Sequence, residues 1–382
     1  MARETDGLVA SPLPTPMLQP PEVHDQARFD LEMVRVFGRS WVWLGDVEDL
    51  RQAGDFITGT IGAQPVIVIR QDDGSVRGFL NACRHRASTL TPTATGNCGR
   101  TLTCPYHNWS YAIDGRLLGV PDEPRMYPGG LPKDAYGLVP IRIEVAWDLL
   151  VFGCLSHQAP PFREWIAPLA GRYDRYRFDT FHRYERGLDE TYPINWKAFV
   201  ENSNDDYHVR FVHRRFNEQR HSLATVVRFE GRTCSGYKPH RLDVDDPSGG
   251  RADLPEEDLQ GHYADFIYPN LTPLPYPTQL ILVRADPLAP DRTRLISRIY
   301  GRSTDPDEQS AQLASLAATN AEDTAMVGRL MPNLQSPFYR VGPASTWEGR
   351  AAHLMELIRT DVATPLAPDE FSPISDGGPA GR

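Results

Sequence analysis

Asn81-Ala82-Cys83-Arg84-His85-Arg86 and Cys104-Pro105-Tyr106-His107-Asn108-Trp109 decide how the N-terminal half of this chain is read. Each run places one thiol and one imidazole on a tight loop, as CxH in the first and CxxH in the second. Two Cys and two His can hold a structural zinc ion. They can also hold a [2Fe–2S] cluster, with thiolates on one iron and imidazoles on the other. Zinc sites usually pair like ligands, CxxC with HxxxH, whereas each loop here supplies one of each. A two-iron rhomb needs that mixture, because each loop must reach both irons.

Around these loops the hydrophobic period is two. Phe56-Ile57-Thr58, Pro65-Val66-Ile67-Val68-Ile69 and Val76-Arg77-Gly78-Phe79-Leu80 read as strands, with Gln71-Asp72-Asp73-Gly74 as the turn between the last two. Further strands are expected at 101–103, 109–113, 141–145 and 149–152, with Asp114-Gly115 as a second hairpin turn. The result is a small antiparallel β domain over residues 40–155. Before it, a proline-rich segment (Ser11-Pro12-Leu13-Pro14-Thr15-Pro16) reads as extended chain, and Phe29, Met33, Val36 and Phe37 mark a helix from Asp25 to Gly38.

Beyond Pro160 the pattern mixes helix and strand. Helices are expected over Trp165–Tyr176 and Trp196–His213, and strands over 225–229, 279–283 and 293–300. Asp305-Pro306 opens a long helix, with Asp305 as N-cap and Pro306 at the first helical position. Ser345-Thr346-Trp347-Glu348 is a capping-box start for a second helix, running to about Thr360.

Glu201-Asn202-Ser203-Asn204-Asp205-Asp206-Tyr207-His208-Val209-Arg210-Phe211-Val212-His213 concentrates two imidazoles among carboxylates. Glu201, Asp205 and His208 share one helical face, and Asp206 does not. His208 and His213 differ by a turn of about 140° on an ideal helix, so the helix must end or bulge there for both to bind one metal. With one further carboxylate they would make the two-His-one-carboxylate triad of non-haem Fe(II) sites. Leu316, Val327 and Leu330 mark an apolar stripe on the long helix. Asp323 lies on that stripe and Glu322 about 100° off it. A carboxylate on a buried stripe is costly unless paired or metal-bound, so Asp323 is either an iron ligand or the partner of an arginine such as Arg329.

The flanks of the two Cys/His loops resemble, almost residue for residue, the Rieske domains of ring-hydroxylating oxygenases. The resemblance extends over nearly the whole chain. The two loops, the Glu-Asn-x-x-Asp-x-Tyr-His-x4-His run and Glu322-Asp323 stand in the order of a Rieske non-haem iron oxygenase α-subunit, of the aromatic-ring-hydroxylating dioxygenase family. Gly often stands in that family where this chain has Ala87 and Asn108. The resemblance implies an α+β fold, with an N-terminal Rieske antiparallel β domain and a C-terminal helix-grip-like catalytic domain whose antiparallel sheet and helices hold a mononuclear iron. Residues 1–39 are then a segment packing on the catalytic domain, 40–155 the Rieske domain, 156–364 the catalytic domain and 365–382 a disordered tail.

The same resemblance gives Cys83, His85, Cys104 and His107 to the cluster, and His208, His213 and Asp323 to the iron. It makes Asp205 a bridge carrying electrons from His107 of one subunit to His208 of the next, which implies a head-to-tail homotrimer, with or without a β-subunit. Asn202 and Tyr207 match positions beside the iron. Trp109 is expected under the cluster, and Arg84 at the surface where an electron donor docks. Phe199, Val209, Phe216, Phe266, Tyr276, Leu282, Phe338 and Tyr339 are expected to line the pocket. O2 is the expected co-substrate and a small organic, aromatic molecule the substrate. The run's spelling is closest to aromatic-carboxylate dioxygenases, while the chain's length leans toward an all-α trimer. Monooxygenation and N- or O-demethylation are the alternative activities. The reading from another class is a Rieske electron carrier or a zinc-stabilised binding module, which leaves His208, His213 and Asp323 unexplained.

No GxGxxG fingerprint and no plant-type ferredoxin cysteine run occur, so electrons from NAD(P)H must arrive through a partner flavin reductase, alone or with a ferredoxin. A length of 382 residues suits two domains, and 40% hydrophobic with 24% charged residues is ordinary for a globular chain. A formal net charge of -10 argues against nucleic acid as a partner. No apolar run approaches the ~20 residues of a membrane span, and no secretory h-region opens the chain. Cys98, Cys154 and Cys234 lack partner spacing and read as core residues, in keeping with a reducing cytoplasm.

Overall fold

In the computed structural model, which describes residues 17–214, 226–239 and 253–371, the chain divides into two units. One comprises the described residues up to Glu32 together with Pro160–Thr364, and the other comprises Met33–Ala159 with the chain from Pro365. The proline-rich run at 11–16, Phe216 and the tail beyond Phe371 lie outside the described residues. The expected helix at 25–38 is Gln26–Glu32 (α1), followed by a π-helical turn over Met33–Phe37.

The unit holding the two Cys/His loops is built on strands Val42–Asp46 (β1), Asp55–Ile61 (β2), Gln64–Arg70 (β3), Val76–Leu80 (β4), Thr95–Asn97 (β5), Thr101–Thr103 (β6), Ser110–Ala112 (β7), Leu117–Gly119 (β8), Pro140–Ala146 (β9) and Leu150–Cys154 (β10). Seven form an antiparallel sheet in the order β1-β10-β9-β4-β3-β2-β5, and β6-β7-β8 form a second, smaller sheet. The β3–β4 turn closes through Gln71 N–H to the Ser75 carbonyl at 2.8 Å, with Gly74 at φ +82° where a side chain would be strained. Ile67 and Ile69 of β3, Phe56 of β2 and Phe79 of β4 form one buried cluster with Cys83, Cys104, Trp109 and Tyr111. Each such apolar side chain contributes roughly 1.5–3 kcal/mol on burial. The loops that carry the ligands are therefore mounted on the packed core of the unit. The described part of the expected loose tail is tied down here: Glu370 takes Arg39 in two hydrogen bonds of 2.7 and 2.8 Å.

The other unit is organised on an antiparallel sheet of His182–Arg183 (β11), Leu188–Tyr192 (β12), Val226–Glu230 (β13), Thr233–Pro239 (β14), Gly261–Ile267 (β15), Leu271–Pro275 (β16), Gln279–Ala289 (β17) and Arg292–Gly301 (β18). The order is β11-β18-β17-β16-β15-β14-β13, and β12 also pairs with β18. Its helices include α1, Ala167–Tyr176 (α2), Trp196–Ser203 (α3), Val209–Val212 (α4), Pro306–Leu334 (α5) and Gly349–Ala363 (α6). Asp305 caps α5 by accepting the Asp307 N–H at 2.9 Å, and Ser345 with Glu348 forms the capping box ahead of α6. The buried stripe of α5 is Leu316, Asn320, Thr324, Val327, Met331 and Leu334, and Asn320 donates to Ser297 of β18 at 3.0 Å. Leu330, read from sequence as part of that stripe, is 46% exposed.

The helix expected over 196–213, with an end or bulge between His208 and His213, does end before His213 and is also interrupted earlier. Its first part ends at Ser203, and a separate short helix begins at Val209. The reason is local competition for backbone groups. Asn204 donates its side-chain amide to the Val200 carbonyl at 2.8 Å, and Asp205 accepts the Tyr207 N–H at 2.5 Å. His213 leaves the helical region at φ −94°, ψ 62°, which turns its ring toward that of His208.

Candidate metal centres and active site

The two Cys/His loops have the same backbone. Ala87 N–H bonds the Cys83 carbonyl at 2.9 Å, and Asn108 N–H bonds the Cys104 carbonyl at 3.0 Å. Ala87 (φ +57°) and Asn108 (φ +54°) both adopt the left-handed conformation that ends each turn. Cys83 and Cys104 are buried, while His85 and His107 lie at the half-exposed rim with ring centroids 4.5 Å apart. Trp109 stacks on His85 at 5.0 Å with rings 5° from parallel, and Arg84 is exposed.

Burial raises both thiols. At Cys104 the N–H groups of Tyr106 and His107, with side-chain bonds from Cys83 and Ser88, outweigh burial and lower it, while Cys83 stays raised. Tyr111, fully buried on β7, accepts the Arg84 N–H at 3.0 Å and lies 3.2 Å from the Cys83 sulfur. Sequence reasoning did not single out this tyrosine. Its signal was alternation, since Trp109, Tyr111 and Ile113 all point inward. The Nδ1 of His85 is buried with no hydrogen-bond partner. Two buried sulfurs with donors aimed at them and an orphaned imidazole nitrogen fit a [2Fe–2S] cluster on Cys83, His85, Cys104 and His107.

In the other unit the structure brings His208, His213 and Asp323 together, each offering one ligand atom within 4.8 Å of the others. Both Nε2 atoms face the Asp323 Oδ1, at 3.3 Å from His208 and 3.0 Å from His213. Both Nδ1 atoms face a second carboxylate: Asp205 at 3.1 Å for His208 and Glu322 at 2.7 Å for His213. Metal-binding histidines commonly donate their other N–H to a carboxylate, which fixes tautomer and ring angle. Asn202, at the end of α3, donates to the Asp323 Oδ1 at 2.9 Å.

Burial disfavours charge on His208, but hydrogen bonds to Asp205 and Asp323 outweigh it and push the imidazole up to about 9. His213 is raised by Asp323 and Glu322 against the same burial. Asp323 is held well below the usual carboxylate range, because the two histidines overcome its desolvation. A divalent cation would replace those protons as the positive charge that Asp323 requires, so the donor set fits an iron.

Glu322 had been set aside on helical phase, yet its long side chain reaches round α5 to His213 with 49% of it still exposed. Asp206, expected to face away from His208, accepts from Lys238 at 2.7 Å and Arg350 at 2.8 Å in the core. Tyr207 is not in the cavity. The residue is 41% exposed, and its ring lies against Phe211 and Arg210.

A cavity of about 130 Å³ adjoins the triad, walled by Phe199, Val209, Tyr276, Val283 and Leu316 among others. Of the expected lining, Phe199, Val209 and Tyr276 are there. Leu282 is absent because side chains alternate along β17, which presents Val283 to the cavity instead. Phe266 is buried elsewhere, and Phe338 and Tyr339 are surface residues, 96% and 47% exposed.

Residues 173–364 match the family described as ring hydroxylating alpha subunit (catalytic domain), and residues 40–135 match the Rieske [2Fe–2S] domain. The chain belongs to the Rieske-type ring-hydroxylating oxygenase α-subunit family. It is 34% identical over 197 residues to the large oxygenase component of the naphthalene 1,2-dioxygenase system of Pseudomonas aeruginosa, covering 50% of this chain and 42% of that protein. It is 34% identical over 202 residues to the glycine betaine monooxygenase oxygenase subunit of Chromohalobacter salexigens, covering 53% and 43%. The chain thus spans less than half the length of these curated relatives. A solved quaternary ammonium Rieske monooxygenase shares the fold, with a TM-score of 0.78 at 19% identity over 94% of this chain and 99% of that one. Among the described residues no helix is long and apolar enough to cross a membrane.

Proposed function

We propose that the chain is the terminal oxygenase of a multicomponent system, using O2 and electrons from an external reductase to hydroxylate or dihydroxylate a small organic, aromatic substrate. The observation that carries this reading is the convergence of His208, His213 and Asp323 in the wall of a cavity, in a chain that also holds the four-ligand Cys/His set. When bound, the iron supplies vacant coordination positions for O2, and the cluster supplies electrons one at a time.

The chain's own residues do the rest. Asp205 and Glu322 hold the imidazoles with Nε2 outward, and Asn202 holds Asp323. Phe199, Val209 and Leu316 keep the substrate side apolar. Asp205 spends Oδ2 on His208 and Oδ1 on the Tyr207 N–H, and a carboxylate oxygen retains a second lone pair. We assign that lone pair to His107 of a neighbouring subunit in a head-to-tail homotrimer, with or without a β-subunit. Tyr207 then contributes through its backbone. The domain reading is Rieske over 40–155 and catalytic over 156–364. Flavin reductase, alone or with a ferredoxin, is the assigned electron source. A reducing cytoplasm is the assigned location.

Monooxygenation or N- or O-demethylation is the second reading, favoured by similarity to the glycine betaine enzyme. Turnover of an aromatic panel with a surrogate reductase, NAD(P)H and isotopically labelled O2 separates one-oxygen from two-oxygen insertion. A brown protein with a Rieske-type EPR signal and an additional mononuclear iron is expected. Colourless protein carrying zinc and no acid-labile sulfide would overturn the proposal.

A further inference from the structure

The wall of the cavity beside the triad includes a cationic residue that the oxygenase reading leaves without a task. Lys238, the next-to-last residue of β14, lines that cavity and is 6% exposed. Its ammonium lies 2.7 Å from the Asp206 Oδ1. The same oxygen accepts from Arg350 at 2.8 Å, and Arg350 is 2% exposed. One buried carboxylate therefore faces two buried cations, and Arg350 already balances it. Nearby Asp265 is balanced in charge by Arg172, which its Oδ2 takes at 2.5 Å together with the Tyr173 hydroxyl at 2.7 Å, while its Oδ1 is buried without a hydrogen-bond partner. The carboxylates in the cavity wall, Asp205 and Asp323, are engaged by His208 and His213.

An ammonium carries three N–H donors, and Asp206 takes one. A buried cation needs an acceptor for the rest. The cavity volume of about 130 Å³ is close to that of a cavity of about 150 Å³ that admits benzene, so the space suits a molecule of one ring or less.

We infer that Lys238 is the specificity-determining residue for a small substrate carrying a carboxylate, which it binds as a charge-assisted partner while the rest of the molecule occupies the apolar wall beside the triad. The inference rests on the oxygenase reading of that cavity. The same chemistry is met by a one-ring aromatic acid and by a small aliphatic carboxylate, and the test separates them.

The experiment is calorimetric titration of the cluster- and iron-loaded protein with two pairs: benzoate against benzamide, and glycine betaine against choline. Each pair replaces the carboxylate by an uncharged group on the same scaffold. In at least one pair the carboxylate should bind about tenfold tighter or more, and that pair identifies the aromatic or aliphatic source. In Lys238→Met the preference should disappear while the Rieske EPR signal and iron content persist, because Asp206 keeps Arg350. Lys238→Arg should restore part of it. If Lys238→Met fails to fold, Lys238→Gln, which keeps a donor toward Asp206, must lose the preference. The inference is overturned if no carboxylate exceeds its counterpart in the wild type, or if the preference survives removal of the ammonium. Failure of the oxygenase reading would show separately, as missing mononuclear iron and no O2-dependent product with the carboxylate preference intact.

Discussion

The two ligand sets are held by different means. In the Cys/His unit, two short loops with matching i to i+4 backbone bonds and a left-handed residue each present their ligands. Everything needed lies within a few residues of each thiol. At the triad, the ligands come from the two residues flanking α4 and from α5, and side-chain hydrogen bonds aim them: Asp205 to His208, Glu322 to His213 and Asn202 to Asp323. A backbone-mounted site should tolerate loss of a neighbouring side chain. A site aimed by side chains should not.

The largest effect is expected at Asp205. Asp205→Asn should lower turnover by about 100-fold or more with cluster and iron both retained, because the residue orients His208 and forms the proposed inter-subunit bridge. Near-normal turnover in that variant would remove the bridge assignment. Glu322→Gln comes next. Replacing the charged acceptor on the His213 Nδ1 by a neutral amide should weaken iron binding about 10-fold, measured by chelator competition, with the cluster EPR unchanged. Unchanged affinity would mean that the triad, like the loops, is aimed by its backbone.

The same difference explains what could be read in the sequence. The proposed cluster ligands were nameable because CxH and CxxH are local spacings and their flanks match a family. The meeting of His208, His213 and Asp323 was legible from residue type and helical phase. The devices that aim them were not. Asp205 and Asn204 break the helix by bonding neighbouring backbone, a choice that helical periodicity cannot register. Glu322 was set aside by helical phase, which fixes where a Cα–Cβ bond points but not how far a long side chain can curl. Lys238 of β14 meets Asp206 of the α3–α4 connection across 32 positions of chain, a tertiary contact that local spacing does not register. Leu282 was chosen over Val283 because both are apolar, and strand register decides between them.

Glu201 extends the comparison to pH. It stands next to Asn202 on α3 and accepts the Leu18 N–H at 2.8 Å. Burial pushes its carboxyl up to about 7, against the Leu18 hydrogen bond and the Arg359 charge. A carboxyl raised above its unfolded value holds its proton longer in the folded state. Its contribution to stability is complete below the unfolded value of 4.5 and declines as pH rises through about 7. Glu201→Gln should flatten that decline and gain about 1–2 kcal/mol at pH 8, read from urea midpoints followed by tryptophan fluorescence. An unaltered slope would show that the carboxyl titrates normally and that α3 is not under this load.

The smallest effect tests the loops themselves. Ala87 and Asn108 hold equivalent left-handed positions, but their side chains differ in how well they accept them. For alanine the conformation costs roughly 1–2 kcal/mol, while asparagine visits it more readily. Glycine removes that cost but adds chain entropy to the unfolded state, offsetting about 0.4–1 kcal/mol. Ala87→Gly should therefore stabilise the protein by about 0.5–1 kcal/mol, and Asn108→Gly should lie near zero. Both residues are exposed, so packing contributes little to either change. Paired thermal melts of the two variants, monitored at the cluster's visible absorption, measure the difference between them. Equal effects would mean that strain at Ala87 is relieved by its surroundings. Destabilisation by Ala87→Gly would mean that the first loop, unlike the second, depends on a side chain after all.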